Sequence, residues 1–309
     1  MNRRHVLSLI AGGAAVARSV PAVAQSAPVR VGCLAGESTG SALYAQDNGF
    51  FSKRGLNVSI STSVTNAAAA AAMLGGSLDV AIADTVVLAT AHDKGIPFVL
   101  LAPAVLHSTK APTLAITVKD PALKIGKDFN GKTFGCATIT GLGFLVTAAW
   151  IDNNGGDSKT LKWVEVPFPT GGAALQRGTI DAFVSPEPFV TSSLAAGNTL
   201  VLLDKNPVAP AILQGAWYST KDWVAKGGGK AFADAILEAN AWANANPAPA
   251  AEILSKYMKQ PVAAIEGMKM RGQYQTRFDP ATMQPLIDSA ARYGIISKPF
   301  PVRDMIAAL

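Results

Sequence analysis

The sequence predicts an α/β protein of two similarly built lobes. Three observations carry that expectation. A short pattern occurs twice, about a hundred residues apart: Gly76-Ser77-Leu78-Asp79-Val80-Ala81-Ile82 returns as Gly178-Thr179-Ile180-Asp181-Ala182-Phe183-Val184. Each copy follows an Ala/Leu-rich helical stretch and reads as helix, Gly stop, turn with Asp, buried strand. Each strand then runs into a carboxylate, Asp84 in one copy and Glu187 in the other. Open α/β sheets place ligands at the carboxyl ends of their strands, so both carboxylates face one cleft in this scheme. Finally, the chain of 309 residues, even without its first 24, is too long for one modest core and suits two.

Residues 1–24 read as an export signal. Arg3 and Arg4 precede an apolar run over 6–17, and Ala22-Val23-Ala24 offers a small-residue cleavage site before Gln25. The run is too short to span a membrane, and Arg18 interrupts it. The twin arginines fit the folded-protein route, and a plain secretory signal fits equally. Loss of Arg3, Arg4 and Arg18 leaves 24 basic against 21 acidic residues, a net charge of +3 in place of the formal +6. With no Lys/Arg block, nucleic acid is not an expected partner. No later segment has the apolar length of a membrane helix, so a soluble periplasmic product is expected, and it is expected to be a monomer. Arg30 disfavours Cys33 as a lipid attachment site. Cys33 and Cys136 each end an expected strand, in different lobes and outside any metal-ligand spacing; two buried thiols are expected rather than a bridge.

In order along the chain, 29–34 reads as a buried strand, 36–40 as a polar Gly-rich loop, and 41–51 as a helix with Leu43 and Phe50 on one face. Gly55 stops that helix and 56–61 alternates as a strand. This is a βαβ unit, which implies parallel strands and a right-handed crossover. An Ala-rich helix over 66–74 follows, then a strand over 79–83, a helix over 86–93 and a strand over 98–102. Residues 113–118 are expected to cross into the second lobe. That lobe holds strands at 133–136 and 163–166, a helix at 142–153, the second copy of the pattern, and a strand at 200–203. Residues 211–218 read as a single returning strand, and two crossing strands make a hinge of little freedom. Helices at 230–245, 249–258, 262–270 and 282–293 are expected to pack on lobe 1. The boundaries are thus 25–113 and 212–309 for lobe 1, and 114–211 for lobe 2.

Several segments resemble a known family. The stretch Leu43-Tyr44-Ala45-Gln46-Asp47-Asn48-Gly49-Phe50-Phe51-Ser52-Lys53-Arg54-Gly55-Leu56-Asn57-Val58 is similar to the opening of ABC-transporter solute-binding proteins serving taurine, alkyl sulfonates, nitrate and thiamine pyrimidine precursors. Residues 76–81, Lys94-Gly95-Ile96-Pro97-Phe98-Val99, Phe129-Asn130-Gly131-Lys132-Thr133 and 178–188, with its Glu187-Pro188 pair, resemble the same group; the likeness runs over 29–189. It implies a type-two periplasmic-binding fold, with a mostly parallel mixed sheet and flanking helices in each lobe. It also implies capture of a solute and its delivery to an ABC permease with its ATPase. The ligand loops carried over are 37–41, Asp84-Thr85, 138–141 and Glu187-Pro188.

Within those loops, Ser38, Thr39 and Ser41 read either as hydroxyl donors to a ligand or as helix caps. Residues 138–143 resemble an anion cradle, with free amides at a helix start and Gly141 allowing close approach, although Thr138 and Thr140 also suit capping. The spacing is not that of a nucleotide fingerprint. Glu37, Asp84 and Glu187 are expected around the cleft, and a buried carboxylate must be paired. These loops carry no Arg or Lys, which points away from nitrate or a bare sulfonate and toward an amine, an aminated heterocycle or a zwitterion. Asp84 bonded to amides of its own lobe is the alternative. Asp79 and Asp181 read as structural turn residues. Among aromatics Tyr44 and Trp217 are candidate contacts, while Phe144 and Phe189 lie near the same elements; His107 is expected on a surface loop.

Moving a hinge from mostly open to mostly closed needs about 5.5 kcal/mol of preference. Hydrogen bonds supply about 1 kcal/mol each and charge-assisted ones roughly 1.5–3. Several polar contacts to a small polar molecule are therefore expected. No cofactor, metal or catalytic group is expected. A pyrimidine-precursor-forming enzyme shares this fold, but its cofactor-linked Lys, its His and its Cys-rich motif have no counterpart here. A transcription-regulator effector domain would carry an N-terminal helix-turn-helix where the export signal stands.

Overall fold

The computed structural model describes residues 28–34, 36–62, 65–201, 208–268 and 270–309; the export signal read over 1–24, with its cleavage site, lies outside the described residues. The first half runs β1 (Val29–Gly32), α1 (Gly40–Asp47), β2 (Val58–Ser61), α2 (Asn66–Leu74), β3 (Val80–Asp84), α3 (Thr85–Asp93), β4 (Phe98–Pro103) and β5 (Val105–Ser108). Next come β6 (Ala115–Val118), β7 (Thr133–Cys136), α4 (Leu142–Asn153), β8 (Lys162–Glu165), α5 (Phe168–Arg177), β9 (Ala182–Ser185), α6 (Phe189–Ala195) and β10 (Thr199–Val201). The chain closes with β11 (Ala211–Leu213), β12 (Gly215–Thr220), α7 (Lys221–Ala225), α8 (Gly229–Ala245), α9 (Pro247–Met258), α10 (Val262–Glu266), β13 (Gln273–Tyr274) and α11 (Pro280–Arg292).

Two five-stranded sheets have matching orders, β2-β1-β3-β12-β4 and β8-β7-β9-β6-β10. In each, three neighbouring strands are parallel and the fourth, β12 or β6, runs against both its neighbours. The repeated pattern does the same work in both. Gly76, just past the cap of α2, and Gly178, the cap of α5, each turn at φ 70°, a left-handed conformation that glycine adopts freely. Asp79 accepts from the Arg30 amide at 2.8 Å at the start of β1, and Asp181 accepts from the Thr133 amide at 2.8 Å at the start of β7. Each Asp amide returns a bond to the same residue's carbonyl. Each Asp thus pins a helix-to-strand corner to the neighbouring parallel strand.

Three readings need correction. The returning segment over 211–218 is two strands: β11 joins a small antiparallel sheet, β11-β5-β13, and β12 inserts between β3 and β4. The break falls at Gln214, whose amide donates to the Val105 carbonyl, and at Gly215, where a Cβ would lie 2.6 Å from the Ala83 carbonyl oxygen. His107 is buried in β5 rather than exposed in a loop, and its Nδ1 accepts from the Thr113 amide at 3.0 Å. The helix expected over 262–270 ends at Glu266, where Gly267 caps it. The strand expected at 200–203 is formed over Thr199–Val201, and 202–203 lie outside the described residues. Among the late helices, α8 packs on α1 and β4, and α11 packs on α3 and β11.

Candidate ligand-binding cleft

The carboxyl ends of the parallel strands in the two sheets face each other across a cavity of about 130 Å³. From the first sheet come Gly36, Ser38 and Thr39 after β1, Ile82 to Asp84 at the end of β3, Gln214 just before β12 and Gly215 at its start. From the second come Thr138, Gly141, Leu142 and Gly143 after β7, Phe168 after β8, and Pro186, Glu187 and Phe189 after β9. The rings of Phe168 and Phe189 stack 5.5 Å apart at 20° and form an apolar wall. Of the twelve residues expected here, Ser38, Thr39, Asp84, Thr138, Gly141 and Glu187 line the cavity.

Asp84 bridges the two halves. Its Oδ1 accepts from the amides of Val86 at 3.0 Å and Val87 at 2.8 Å, capping α3, and also from the Leu142 amide at 3.2 Å, at the start of α4. Burial pushes its pKa up to about 6, against the pull of those three amide bonds. Gly141, the N-cap of α4, has no side chain to cap that helix. Glu187 accepts from the amide of Thr191 at 3.0 Å and from its hydroxyl at 2.9 Å, which ties the carboxylate to the first turn of α6. The Thr39 hydroxyl accepts from the Gly36 amide at 3.0 Å, so it shapes the loop it sits in.

The other six expected residues lie behind the cavity wall or beyond its lip. Glu37 is buried against Arg271, whose Nε sits 3.3 Å from Oε2. Burial pushes this carboxyl up, and the guanidinium opposes that shift. An internal cation therefore supplies the partner that the ligand was expected to bring. Tyr44 is fully buried in the core around α1, 3.2 Å from the Tyr274 hydroxyl. Ser41 is also fully buried. The Thr85 hydroxyl donates to the Leu213 carbonyl at 2.7 Å, fastening α3 to β11. Thr140 is exposed outside the cavity. Trp217 is fully buried against Phe232, because β12 is an interior strand with both faces covered. Cys33 and Cys136 are free and buried, and desolvation pushes both thiols up to about 12.

Phe168 and Gln214 line the cavity without having been singled out from the sequence. A signal existed for both. Gln214 is the polar interruption in an apolar returning segment, and Phe168 follows Pro167 at the carboxyl end of an expected strand. Arg271 carried no such signal.

Residues 38–250 match the NMT1/THI5-like family model. Among solved structures, the alkanesulfonate-binding protein SsuA from Xanthomonas axonopodis pv. citri, bound to MOPS, is 16% identical with a TM-score of 0.74, covering 92% of this chain and 99% of that one. The periplasmic nitrate-binding protein NrtA from Synechocystis is 18% identical with a TM-score of 0.71, covering 90% and 84%. The ligand-binding component of an ABC-type import system from Staphylococcus aureus is 13% identical with a TM-score of 0.77, covering 90% and 96%. No protein among the curated ones matches this sequence. The chain belongs to the NMT1/THI5-like family and has the fold of periplasmic binding proteins.

Proposed function

We propose that this chain is a solute-binding protein that captures a small organic molecule between its two halves and delivers it to an ABC-type importer. The carrying observation is the cavity itself, lined from both sheets at the strand ends where α/β folds present ligand-binding loops. In this reading 25–113 with 212–309 form one lobe and 114–211 the other. Residues 1–24 direct export to the periplasm, where the loaded protein meets a permease and its ATPase.

The lining also speaks to the ligand. Two relatives are named for nitrate and alkanesulfonates, whereas the lining here includes Asp84 and Glu187 and, among the described residues, no Lys or Arg. A molecule with N–H or O–H donors matches the carboxylate and hydroxyl groups of Asp84, Ser38 and Thr138, and an apolar body matches Phe168 and Phe189. Among the described residues, no His, Cys or Lys lines the cavity, which favours capture over turnover. A thermal-shift screen of amines, pyrimidines, carboxylates and sulfonates tests this, because a ligand of the folded state raises Tm. Phe168→Ala should weaken the best hit at least about tenfold, the scale of one lost aromatic contact. A hit that Phe168→Ala leaves unchanged moves the site elsewhere. Conversion of a hit, seen by mass spectrometry, makes the protein an enzyme.

A further inference from the structure

The start of α4 is capped by a residue of the opposite half. This helix has 12 residues, and its N-cap, Gly141, offers no side-chain acceptor. A helix start carries free N–H groups and a partial positive charge, and it attracts anions. Here the Leu142 amide donates to Asp84 Oδ1, 58 residues earlier in the chain, while the same oxygen also caps α3. The second oxygen, Oδ2, lies against Gly141, where an added Cβ would be only 3.1 Å away. Gly141 has φ −105°, which any residue adopts, so its lack of a side chain eases the approach of Asp84 rather than serving its own backbone. Both residues line the cavity.

We propose that Asp84 determines the charge of the ligand this cleft accepts, by placing the protein's own carboxylate on the α4 amides that a bound oxyanion would otherwise use. This rests on the reading of the cavity as a ligand site. Small oxyanions then meet an occupied helix start and a like charge, while a cationic or N–H-bearing group meets Oδ2. The neutral Asp84→Ser variant keeps a good cap for α3, because serine serves that position well, but is too short to serve both helices.

The test uses the full chain and a matched pair of probes, benzylammonium and benzenesulfonate, which share a ring and differ in charge. Titration calorimetry should show wild type preferring benzylammonium and Asp84→Ser reversing the preference by about tenfold or more, the range of one charge-assisted bond. Asp84→Asn, of the same shape, should lose the cation preference too, and it stands in if Asp84→Ser does not fold by circular dichroism. Wild type that prefers benzenesulfonate overturns the proposal. So do intact binding and an unchanged preference in both variants, which leave the binding function standing. Failure of every protein to bind either probe removes the cavity as a ligand site and the role of Asp84 with it.

Discussion

His107 and Asp84 respond to acid in opposite directions, and removing one should expose the other. His107 needs a neutral ring to accept the Thr113 amide through Nδ1, and burial pushes its pKa from 6.5 down to about 4. Between those values the unfolded chain binds a proton that the folded one refuses. The stability linked to His107 is therefore full above pH 6.5 and is lost as pH falls through 4. Asp84 is the reverse: its pKa is raised from 3.8 to about 6, so the folded protein holds a proton that the unfolded chain releases. Its linked stability is present below pH 3.8 and is lost as pH rises through 6. Each interval converts to at most about 3 kcal/mol, so the two nearly cancel from pH 4 to 6. His107→Asn keeps an acceptor near the Nδ1 position but cannot titrate in this range, and Asp84→Asn keeps the shape of the carboxylate. Urea melts across this interval should show His107→Asn losing stability relative to wild type as pH rises, on top of any constant offset. Asp84→Asn should gain relative to wild type over the same interval. Taking differences from wild type removes the other carboxyls, including Glu37. Profiles of both variants that stay parallel to wild type within about 0.5 kcal/mol refute the linkage.

Further outcomes follow from individual contacts. A Cβ at Gly171 would fall on the ring of Phe183, so Gly171→Ala should cost about 1–3 kcal/mol in urea unfolding; an unchanged midpoint would show that the ring moves freely. Arg271→Met strands the buried Glu37 carboxylate and should cost about 3–5 kcal/mol, while adding Glu37→Met should recover most of it. If the double variant is no more stable than Arg271→Met alone, the pair does not act as a pair. Cys33 and Cys136 should stay inert to a thiol reagent in native buffer and react once urea unfolds the chain, since both thiols are buried and held near 12. Rapid labelling of the folded protein would place one of them at the surface.

The parts of the fold legible in the sequence are those whose cause is local. Gly76 and Gly178 meet a left-handed turn, and Asp79 and Asp181 meet an amide at the start of an adjacent strand, so the same chemistry appears in both copies. The cavity loops were legible through topology, since residues just after strands β1, β3, β7 and β9 must face the cleft. What escaped depends on distant packing. Arg271 reaches Glu37 across 234 positions, and no spacing rule connects them. Trp217 looked like a cleft residue because it lies on a crossing segment, and only the insertion of β12 between β3 and β4 shows it to be core. Asp84 could be seen as a cap; that it caps a helix of the other half could not, because that bond exists only once both sheets are assembled.

The place of β12 also sets an order of assembly. Strands β6 to β10 form an uninterrupted sheet within 115–201, whereas β3 and β4 must wait for residues 215–220 to pass between them. A nascent chain emerging N-terminus first presents β4 long before its neighbour exists, and two adjacent edges remain open meanwhile. The later-emerging middle of the polypeptide is thus the first part able to complete itself, and the earlier portion ripens only when the tail arrives.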